Sequence, residues 1–384
     1  MKMQSNQKRL SVGFLFDDTL DSHDGVAQYV KTVGSWLTQN DHHVTYLVGE
    51  SKINQWAGGE VYSLSKNLPI AWGGNRLSMP LLPKLKLMRE VLGQKKFDVI
   101  HVQVPYSPFM AQLVINSIDS GTAVVGTVHI FPANHLAFFG SKVLKKIYGK
   151  SFKRFDKFLS VSSAAQTYAK QVFKMDSEVV PNVIDLTEFR TQDGRRRPGK
   201  EIVFLGRLVP RKGCQELLKA FKLLAETVPE AYLTIAGDGP LRGELKKFVE
   251  GHHLEDRVKF LGFISEEEKP RLLASADIAC FPSLYGESFG IVLIEAMAAG
   301  AGVVVGGNNP GYASVLGENS GALVNPGDSV EFATVLEKIL TDRSLSERLH
   351  RQQQEQVKQY DVGEVGAQLL QIYSQAIASR HQKP

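Results

Sequence analysis

The chain alternates short apolar runs with stretches in which apolar residues recur at helical spacing. The runs are rich in valine, isoleucine and phenylalanine, which is typical of strands buried on both faces of a parallel sheet. The intervening stretches are long enough for crossover helices. The pattern therefore predicts an α/β fold of doubly wound parallel sheets. The first half contributes expected strands near Ser11–Phe16, His43–Val48, Val99–Val102, Ala123–His129, Phe158–Val161 and Glu178–Val180; the second half contributes Ile202–Leu205, Tyr232–Ala236, Val258–Leu261, Ile278–Phe281, Gly302–Val305 and Ala322–Val324.

The strand series begins again after a polar stretch, residues 191–200 (TQDGRRRPGK), which is typical of a linker. A chain of 384 residues is long enough for two hydrophobic cores. We therefore predict one domain over residues 1–190 and a second over residues 191–361, followed by a helix. Doubly wound sheets bind ligands beyond the carboxyl ends of their strands, so we expect a ligand site in a cleft between the two domains.

The segment with the clearest chemical content is Glu287–Glu295 (ESFGIVLIE), which follows an apolar, strand-like run. Strand, turn and helix place the backbone N–H groups of the turn at a helix N-terminus, where anions bind. Glu287 lies in the turn and Glu295 two helical turns later, near enough to one face to address a single elongated ligand. Carboxylates accept hydrogen bonds from hydroxyls, so a ligand with phosphates and many hydroxyls fits. An isolated glutamate pair is more often part of a solvated helix.

A cationic loop follows the strand near Ile202–Leu205. It contains Arg207 and Lys212 within the sequence GRLVPRKG. Two long cations on one loop suit a diphosphate, because arginine can fork across phosphate oxygens while lysine supplies a point charge. A charged surface loop is the alternative interpretation.

Two further candidates lie where strands of the first half end. His129 ends the strand Ala123–His129, which is where α/β proteins place functional side chains, although a lone histidine is more often structural. Gly25 lies between the first strand and the next helix, where a glycine lets the backbone approach a pyrophosphate. Its neighbour Asp24 is equally well explained as the N-cap of that helix.

The segment Gly286–Glu295, together with the small residues of Ala296–Gly302, closely resembles the signature of retaining family 4 glycosyltransferases. It looks most like that of bacterial phosphatidylinositol mannosyltransferases, and the resemblance extends over nearly the whole chain. It implies the GT-B fold, with two Rossmann-like domains and a last helix, about residues 362–384, that packs back on the first domain.

The resemblance implies that a hexose moves from a nucleotide-diphosphate sugar to a lipid or sugar acceptor. GDP-mannose and an inositol-type membrane lipid are favoured. The alternatives are a UDP-glucose-dependent enzyme acting on a diacylglycerol, polysaccharide or soluble acceptor, and a GT-B nucleotide-sugar epimerase. A non-catalytic sugar-binding protein is a further alternative from another class.

Roles for individual residues follow from the same resemblance. Arg207 and Lys212 match a family motif that neutralises the leaving diphosphate, and Glu287 belongs to the catalytic set. His129 is implied to lie beside the transferred sugar and to stabilise the transition state without acting as a general base. The implied donor-binding residues are Gly25, Gly237, Gly262, Phe263, Ile264, Glu287, Ser288, Phe289, Gly290, Ile291 and Glu295.

The acceptor is expected to bind the first domain, where Asp21 could approach a hydroxyl and Arg76 a lipid phosphate. The chain departs from the family pattern at several positions. Asp24 replaces the first of two glycines, Val183 replaces the glycine of an interdomain motif, and a glycine stands near Arg76 where an asparagine is typical.

Charge is unevenly distributed. Residues 1–190 carry 22 basic against 15 acidic side chains, while the remainder carries 23 against 25. The stretch Lys142–Lys157 holds seven basic residues and one acid. Such patches suit an anionic membrane surface, and a solvated helix face explains them equally well. A second basic group is expected on an amphipathic helix and consists of Lys84, Lys86 and Arg89 beside Leu82, Leu85, Leu87 and Met88.

Composition excludes several other classes of protein. Hydrophobic residues make up 43% and charged residues 22% of the chain, which is ordinary for a globular protein, and no apolar run is long enough to span a bilayer. Two cysteines fit a reduced compartment, so we expect a cytoplasmic protein, at most peripheral on the inner face of the plasma membrane. Aromatic residues are not interleaved with the basic ones in any recognisable nucleic-acid-binding module, which argues against nucleic acid.

No metal site is expected. The two adjacent histidine pairs, at 42–43 and 252–253, have diverging side chains and no neighbouring ligands at metal spacing. A dinucleotide oxidoreductase is disfavoured because the chain lacks the G-x-G-x-x-G fingerprint. We therefore expect no cofactor, with the nucleotide sugar bound as substrate.

Overall fold

The computed structural model describes residues 8–22, 24–72, 75–107, 110–130, 151–189, 200–318 and 320–382; for residues 69–72 and 75–79 only the backbone is described. The chain divides into two compact units. Unit 1 comprises Met1–Val183 and Val362–Pro384, and unit 2 comprises Ile184–Asp361. The division falls at Val183, and most of the predicted linker, residues 191–199, lies outside the described residues.

Unit 1 is built on one sheet with the strand order β10-β9-β8-β7-β1-β2-β4-β3, in which all described pairs are parallel except β3–β4. A separate antiparallel hairpin, β5–β6, follows β4. The strands are β1 (Ser11–Phe16), β2 (His43–Val48), β3 (Gln55–Trp56), β4 (Gly59–Ser63), β5 (Ser65–Trp72), β6 (Asn75–Pro83), β7 (Val99–Gln103), β8 (Ala123–Val128), β9 (Lys157–Ser160) and β10 (Glu178–Val179).

Unit 2 has one parallel sheet with the order β13-β12-β11-β14-β15-β16. A buried cluster lies between this sheet and its helices, with Ile202, Phe204, Leu217 and Phe332 among its members. The strands are β11 (Lys200–Leu205), β12 (Ala231–Ala236), β13 (Val258–Gly262), β14 (Ile278–Phe281), β15 (Val303–Gly307) and β16 (Leu323–Val324).

The helices lie in the crossovers between parallel strands and close the chain. In unit 1 they are α1 (Gly25–Gln39), α2 (Leu85–Gln94), α3 (Met110–Ser117), α4 (Ser163–Tyr168) with a π-helical continuation over Ala169–Phe173, and the last helix α13 (Val362–His381). In unit 2 they are α5 (Leu186–Phe189), α6 (Cys214–Thr227), α7 (Arg242–Gly251), α8 (Lys269–Ala274), α9 (Ile291–Ala298), α10 (Pro310–Leu316), α11 (Ser329–Thr341) and α12 (Arg343–Gln356). Short 3₁₀ turns cover Ser151–Arg154, Pro210–Lys212 and Val357–Tyr360.

The predicted α/β class is confirmed, and each predicted strand is present with ends that differ by at most two residues. The prediction missed β3 to β6. The hairpin β5–β6 contains prolines and lies outside the main sheet, so it lacks the continuous apolar run of a central strand. The predicted basic helix begins at Leu85 and not at Leu82, because Pro83 holds the preceding residue in an extended conformation.

The last helix, α13, packs on unit 1. It lies so close to α1 that a Cβ added to Gly366 would stand 2.5 Å from the Trp36 ring. The hydroxyl of Tyr373 lies 2.7 Å from Nδ1 of the buried His101 in β7. Near the end of the helix, Arg380 forms an ion pair of 2.9 Å with Asp156. The helix therefore completes the core of unit 1 after the chain has passed through unit 2.

Candidate active site

The strand order of unit 2 changes direction at β11. The strand next to β11 on one side is β12, its successor in sequence, and on the other side is β14. Loops that leave neighbouring strands in opposite directions at such a switch point open a crevice beyond the strand ends, which is where ligands bind in α/β sheets. The cationic loop follows β11 and the Glu287 turn follows β14. The fold therefore brings both predicted motifs to this point.

The two loops are held together by backbone contacts. The N–H of Leu284 donates to the carbonyl oxygen of Arg211 at 2.9 Å. Gly213 has φ +74°, and an added Cβ would lie 2.0 Å from the carbonyl oxygen of Pro282. Only glycine fits this backbone conformation and this approach. The relative position of the two loops is therefore fixed by the main chain.

Three cations gather around one carboxylate where these loops meet. Arg211 Nη1 and Lys212 Nζ each lie 2.8 Å from Oε1 of Glu287. The side chains of Arg211, Lys212 and Glu287 are 14%, 20% and 12% exposed. Arg207 is an exposed residue nearby, and its pKa is lowered by partial desolvation and by the charge of Arg211, with Glu287 acting in the opposite sense. We call these four residues the cation cluster.

The carboxyl of Glu287 stays ionised inside this cluster. Burial alone would raise its pKa, but the charges of Lys212 and Arg211 outweigh burial and hold the pKa below its usual range. A hydrogen bond with Ser283 acts in the same direction. We expected Glu287 to accept hydrogen bonds from a ligand. The structure shows that its Oε1 binds Arg211 and Lys212, which precede α6, so Glu287 orients these two cations. A ligand contact for Glu287 stays a prediction.

Sequence reasoning missed Arg211, Ser283 and Tyr312. Arg211 adjoins Lys212 in the 3₁₀ turn Pro210–Lys212, so the adjacent pair of basic residues was the available signal. The Tyr312 hydroxyl lies 3.1 Å from Ser283 Oγ. Its ring fills the space beside Gly290, where an added Cβ would lie 2.5 Å from a ring carbon. No periodicity in the sequence links these positions.

Gly290 is the N-cap of α9 and has φ +105°. The turn residues Ser288, Phe289 and Gly290 and the first helical residue, Ile291, therefore lie at a helix N-terminus, as the sequence predicts. Phe289 is buried, with its ring 5.4 Å from that of Tyr360 in an edge-on arrangement. The contact between the rings of Phe289 and Tyr360 thus holds the backbone of the turn in place. Contact between the N–H groups of the turn and a phosphate remains a prediction.

Glu295 lies in a different environment from Glu287. It is buried, and its Oε1 lies 2.8 Å from Nζ of Lys269, which also pairs with Glu266 at 2.6 Å. Burial raises the pKa of Glu295, while the Lys269 charge opposes the rise. The sequence placed both glutamates toward one ligand. The structure assigns each to its own lysine, and a ligand contact for Glu295 remains a prediction.

The other predicted donor contacts continue along the same edge of the sheet. Gly237 follows β12 with φ +128°, and an added Cβ would lie 1.9 Å from the carbonyl oxygen of Gly206. Its N–H donates to the carbonyl oxygen of Gly262, the last residue of β13, at 2.6 Å. Phe263 is 77% exposed just beyond it, and Ile264 is half-buried. Strands β13, β12, β11 and β14 thus present the predicted residues in a row.

Unit 1 holds the remaining candidates. Asp24 caps α1, and its Oδ1 accepts the N–H groups of Val26 and Ala27 at 2.9 and 3.1 Å. The N-cap interpretation of Asp24 is therefore correct, and this carboxylate already binds two of the N–H groups at the helix start beside Gly25. A phosphate contact at Gly25 stays a prediction.

Of the two acceptor candidates, the structure describes the side chain of Asp21 and only the backbone of Arg76. Asp21 accepts hydrogen bonds from Ser51 Oγ at 2.7 Å and from the Lys52 N–H at 2.8 Å, so in this state it secures the loop after β2. These bonds outweigh burial and lower its pKa. Arg76 lies in β6 opposite Ala71, and its side chain lies outside the description. A role for either residue in acceptor binding stays a prediction.

His129 follows β8 and is 6% exposed. Its Nε2 lies 2.7 Å from Oε1 of Gln103, and the ring stands edge-on to Tyr29 at 5.0 Å. Burial lowers its pKa to about 3, so the imidazole is neutral near pH 7. A neutral imidazole with so low a pKa suits positioning by hydrogen bonds better than proton abstraction.

The basic stretch Lys142–Lys157 is described from residue 151 onward. Within that part, Arg154 donates to the carbonyl oxygens of Asp119 and Thr122 at 2.7 and 2.8 Å, so it is a structural residue and not a free surface cation.

Among the described residues, no group of three or more histidine, cysteine, aspartate or glutamate side chains gathers at metal-binding distance. None of the described helices has the length and apolar character needed to cross a bilayer.

Comparison with known proteins gives consistent results for both units. Residues 23–188 match the family model described as Glycosyltransferase Family 4, and residues 185–356 match that described as Glycosyl transferases group 1. The chain is 30% identical over 376 residues to the phosphatidyl-myo-inositol mannosyltransferase of Mycolicibacterium smegmatis, covering 95% of this chain and 93% of the relative. It is also 30% identical over 385 residues to the phosphatidyl-myo-inositol mannosyltransferase of Propionibacterium freudenreichii, and this match covers 96% of this chain and 95% of the relative.

Solved structures support the same fold. The structure of Anabaena HepE in complex with UDP superposes with a TM-score of 0.74 at 22% sequence identity. The superposition covers 95% of this chain and 100% of that chain. A glycosyltransferase from Rickettsia africae gives a TM-score of 0.75 at 16% identity, over 95% and 98%. At these identities the likeness concerns the fold. Two doubly wound parallel-sheet units are therefore confirmed as a GT-B architecture.

Proposed function

The chain belongs to the family 4 glycosyltransferases, and from this membership we propose that its cation cluster binds the diphosphate of a nucleotide sugar while the hexose is transferred. The observation that supports this most directly is the meeting of Arg207, Arg211 and Lys212 around Glu287 at the switch point of unit 2. Three positive charges against one negative charge leave an excess that suits an anion.

The chemistry explains why an excess of positive charge is useful here. Breaking the bond between the sugar and the diphosphate develops negative charge on the leaving group. Cations already fixed by the protein stabilise that charge without reorganisation at the moment of reaction. Glu287 holds Arg211 and Lys212 in place through the same oxygen, so both side chains are positioned before the donor arrives. We propose that this charge stabilisation replaces a metal ion.

The row of strand ends suggests how the donor lies. The base would approach Gly262, Phe263 and Ile264, the diphosphate would lie at Arg207 and Lys212, and the sugar would reach the turn at Gly290. The order follows the adjacency of β13, β12, β11 and β14. A nucleotide sugar, in which base, diphosphate and hexose follow one another, matches the order of these groups along the strand ends.

We further propose GDP-mannose as the donor and an inositol lipid as the acceptor. The support is the two relatives named phosphatidyl-myo-inositol mannosyltransferase, which the chain matches over nearly their full lengths. UDP-glucose is the alternative donor. The base and the hexose are read mainly by backbone groups and loop shape, so direct measurement decides between them.

Thermal unfolding in the presence of GDP-mannose, UDP-glucose and ADP-glucose tests the donor proposal. A ligand that binds only the folded protein at a hundred times its Kd stabilises it by about 2.7 kcal/mol. We expect GDP-mannose to raise Tm most, to support transfer to phosphatidylinositol in vesicles, and to do both in the presence of EDTA. A larger shift with UDP-glucose would reassign the donor. No shift with any nucleotide sugar would contradict the proposed donor site.

An anionic membrane surface is the proposed partner of the segment around α2. Leu82 and Leu85 are exposed beside the exposed cations Lys86 and Arg89, while Met88 faces the core. Apolar side chains that enter the headgroup region next to basic residues are typical of peripheral membrane binding. This surface would bring unit 1 to a lipid acceptor.

Replacing both Lys86 and Arg89 by glutamine should weaken binding to vesicles that contain phosphatidylinositol by about tenfold or more, since each cation near an anionic surface contributes about 1 kcal/mol. Sedimentation at low salt measures this. The matched control replaces Lys246 and Lys247, which are exposed on α7 of unit 2. Equal losses in both double variants would show only a general charge effect, and no loss in either would remove the membrane proposal.

A further inference from the structure

The His129 ring is held in unit 1 by side chains from several elements. Gln103, the last residue of β7, places its Oε1 2.7 Å from His129 Nε2. Tyr29 of α1 covers the ring edge-on at a centroid distance of 5.0 Å. The side chain of Asn182 adds a further hydrogen bond. A histidine held this closely has one orientation, and the partners decide which nitrogen carries the proton.

The orientation of the Gln103 amide follows from its second contact. Its Nε2 donates to the carbonyl oxygen of His101 at 3.3 Å. A carbonyl oxygen can only accept, so the NH₂ group must face it and the amide oxygen must face His129. An amide oxygen likewise only accepts, so His129 Nε2 must be the donor. The contacts therefore select the Nε2–H tautomer and leave the lone pair on Nδ1.

The surroundings also keep the ring uncharged. Among the described residues, the titratable neighbours of this ring are Tyr29 on α1, which stands edge-on to it, and His101 on β7, which is fully buried against Tyr29 and interacts electrostatically with His129. Burial lowers the pKa of both histidines to about 3, and burial raises the pKa of Tyr29 far above neutrality. Gln103 supplies a hydrogen-bond acceptor without a negative charge. A carboxylate in its place would favour the imidazolium.

We propose that Gln103 is a positioning residue that holds His129 as the neutral Nε2–H tautomer at the end of β8. Its effect on catalysis rests on the proposed function, in which His129 lies beside the transferred hexose. When the sugar leaves the diphosphate, its anomeric carbon becomes cation-like, as in other glycosyl transfers. A neutral imidazole next to that carbon avoids charge repulsion, whereas an imidazolium would oppose the reaction.

Nitrogen NMR of the full-length protein labelled at its histidine side chains tests the positioning itself, without donor or acceptor. The His129 signals are assigned by their loss in His129→Gln. We expect wild-type His129 to show a protonated Nε2, an unprotonated Nδ1 and no titration between pH 5 and 8, the span in which histidine ordinarily titrates. A protonated Nδ1, or an ordinary titration, would overturn the inference even if both Gln103 variants failed to fold.

Two substitutions at Gln103 then separate positioning from packing. Gln103→Leu should mix the two tautomers and lower kcat by about 10- to 100-fold with little change in donor binding. The control, Gln112→Leu, removes another buried amide of unit 1, whose Nε2 donates to the carbonyl oxygens of Pro105 and Ser107, and should leave the His129 tautomer unchanged. An unchanged tautomer in Gln103→Leu would refute the role of Gln103.

Gln103→Glu gives the sign of the electrostatic effect. A carboxylate at this distance should raise the pKa of His129 by about one to three units, so the acid fall of kcat should begin at higher pH than in the wild type. If NMR shows the raised pKa but kcat keeps its pH profile, the positioning inference holds and the proposed place of His129 beside the sugar fails. If NMR shows no change in the His129 pKa, the inference itself fails.

Discussion

Replacing Lys212 by alanine is expected to lower kcat for glycosyl transfer by about a hundred- to a thousand-fold, since removal of one preorganised group that stabilises transition-state charge has effects of this size. Lys212 lies beside Arg211 against the same oxygen of Glu287 and is 20% exposed, so it can meet a ligand as well as its partner. Transfer of labelled hexose under saturating donor measures the effect.

The control for this substitution is Lys219→Ala, which removes a lysine on α6 of the same unit that is 55% exposed and pairs only loosely with Glu216 at 4.0 Å. It should retain wild-type turnover. Lys212→Ala leaves Glu287 paired with Arg211, so both variants should be folded under the assay conditions. Wild-type turnover in Lys212→Ala would show that the cation cluster does not act on the leaving group, whatever else it binds.

Glu287→Gln is expected to reduce both transfer and stability. The variant keeps the shape of the side chain but leaves Arg211 and Lys212 without their shared counter-charge, and removing one partner of a buried ion pair costs about 3 kcal/mol. Because the two cations lose their fixed positions, kcat should fall by about a hundredfold or more. Urea unfolding at pH 7 and a transfer assay measure the two effects.

The stability effect should depend on pH in a defined direction. The pKa of Glu287 is lower in the folded protein than in the unfolded chain, where it is about 4.3. Its contribution is therefore complete above that value and is lost as the pH falls through the folded pKa. The stability difference between wild type and variant should be largest near pH 7 and shrink in acid. Glu250→Gln, an exposed substitution on α7, is the matched control for the loss of a glutamate charge. A constant difference across this range would contradict the ionised state of Glu287.

Much of the fold was predictable because buried parallel strands have a simple sequence pattern. The strands β1, β2 and β14 begin and end where the apolar runs do. Beyond the first residue of β1 and of β2, their side chains are buried on both faces, so apolar residues predominate within them. The hairpin β5–β6 was not predictable in this way, because it is outside the main sheet and its register depends on pairing with itself.

The candidate site was predictable where a single loop or helix start carried the signal. Arg207, Lys212 and Gly290 lie at the strand ends that the sequence indicated. The partner of each charged residue was not predictable, because partners come from distant parts of the chain. Lys269 meets Glu295 across 26 positions and Lys212 meets Glu287 across 75, and no spacing rule relates such pairs.

Substitutions at Gln103 and at Lys212 therefore test two different contributions to catalysis, the orientation of a side chain in unit 1 and the positive charge of the cation cluster in unit 2. Lys212 belongs to the cation cluster of unit 2, which we propose faces the leaving group. Gln103 acts through the orientation of another side chain in unit 1, and the pattern of apolar and polar residues gave no hint of it. The hydrogen bonds of its amide provide that information, since donors and acceptors must match at each atom.

The position of α13 has a consequence for how the protein is made. A ribosome releases the strands of unit 1 first, then all of unit 2, and only afterwards the helix whose Tyr373 reaches His101. During that interval the nascent unit 1 lacks one wall of its core, while unit 2 can already close around its own sheet. Shortening the polypeptide at its far end should therefore damage the half that was synthesised earliest and spare the half synthesised later.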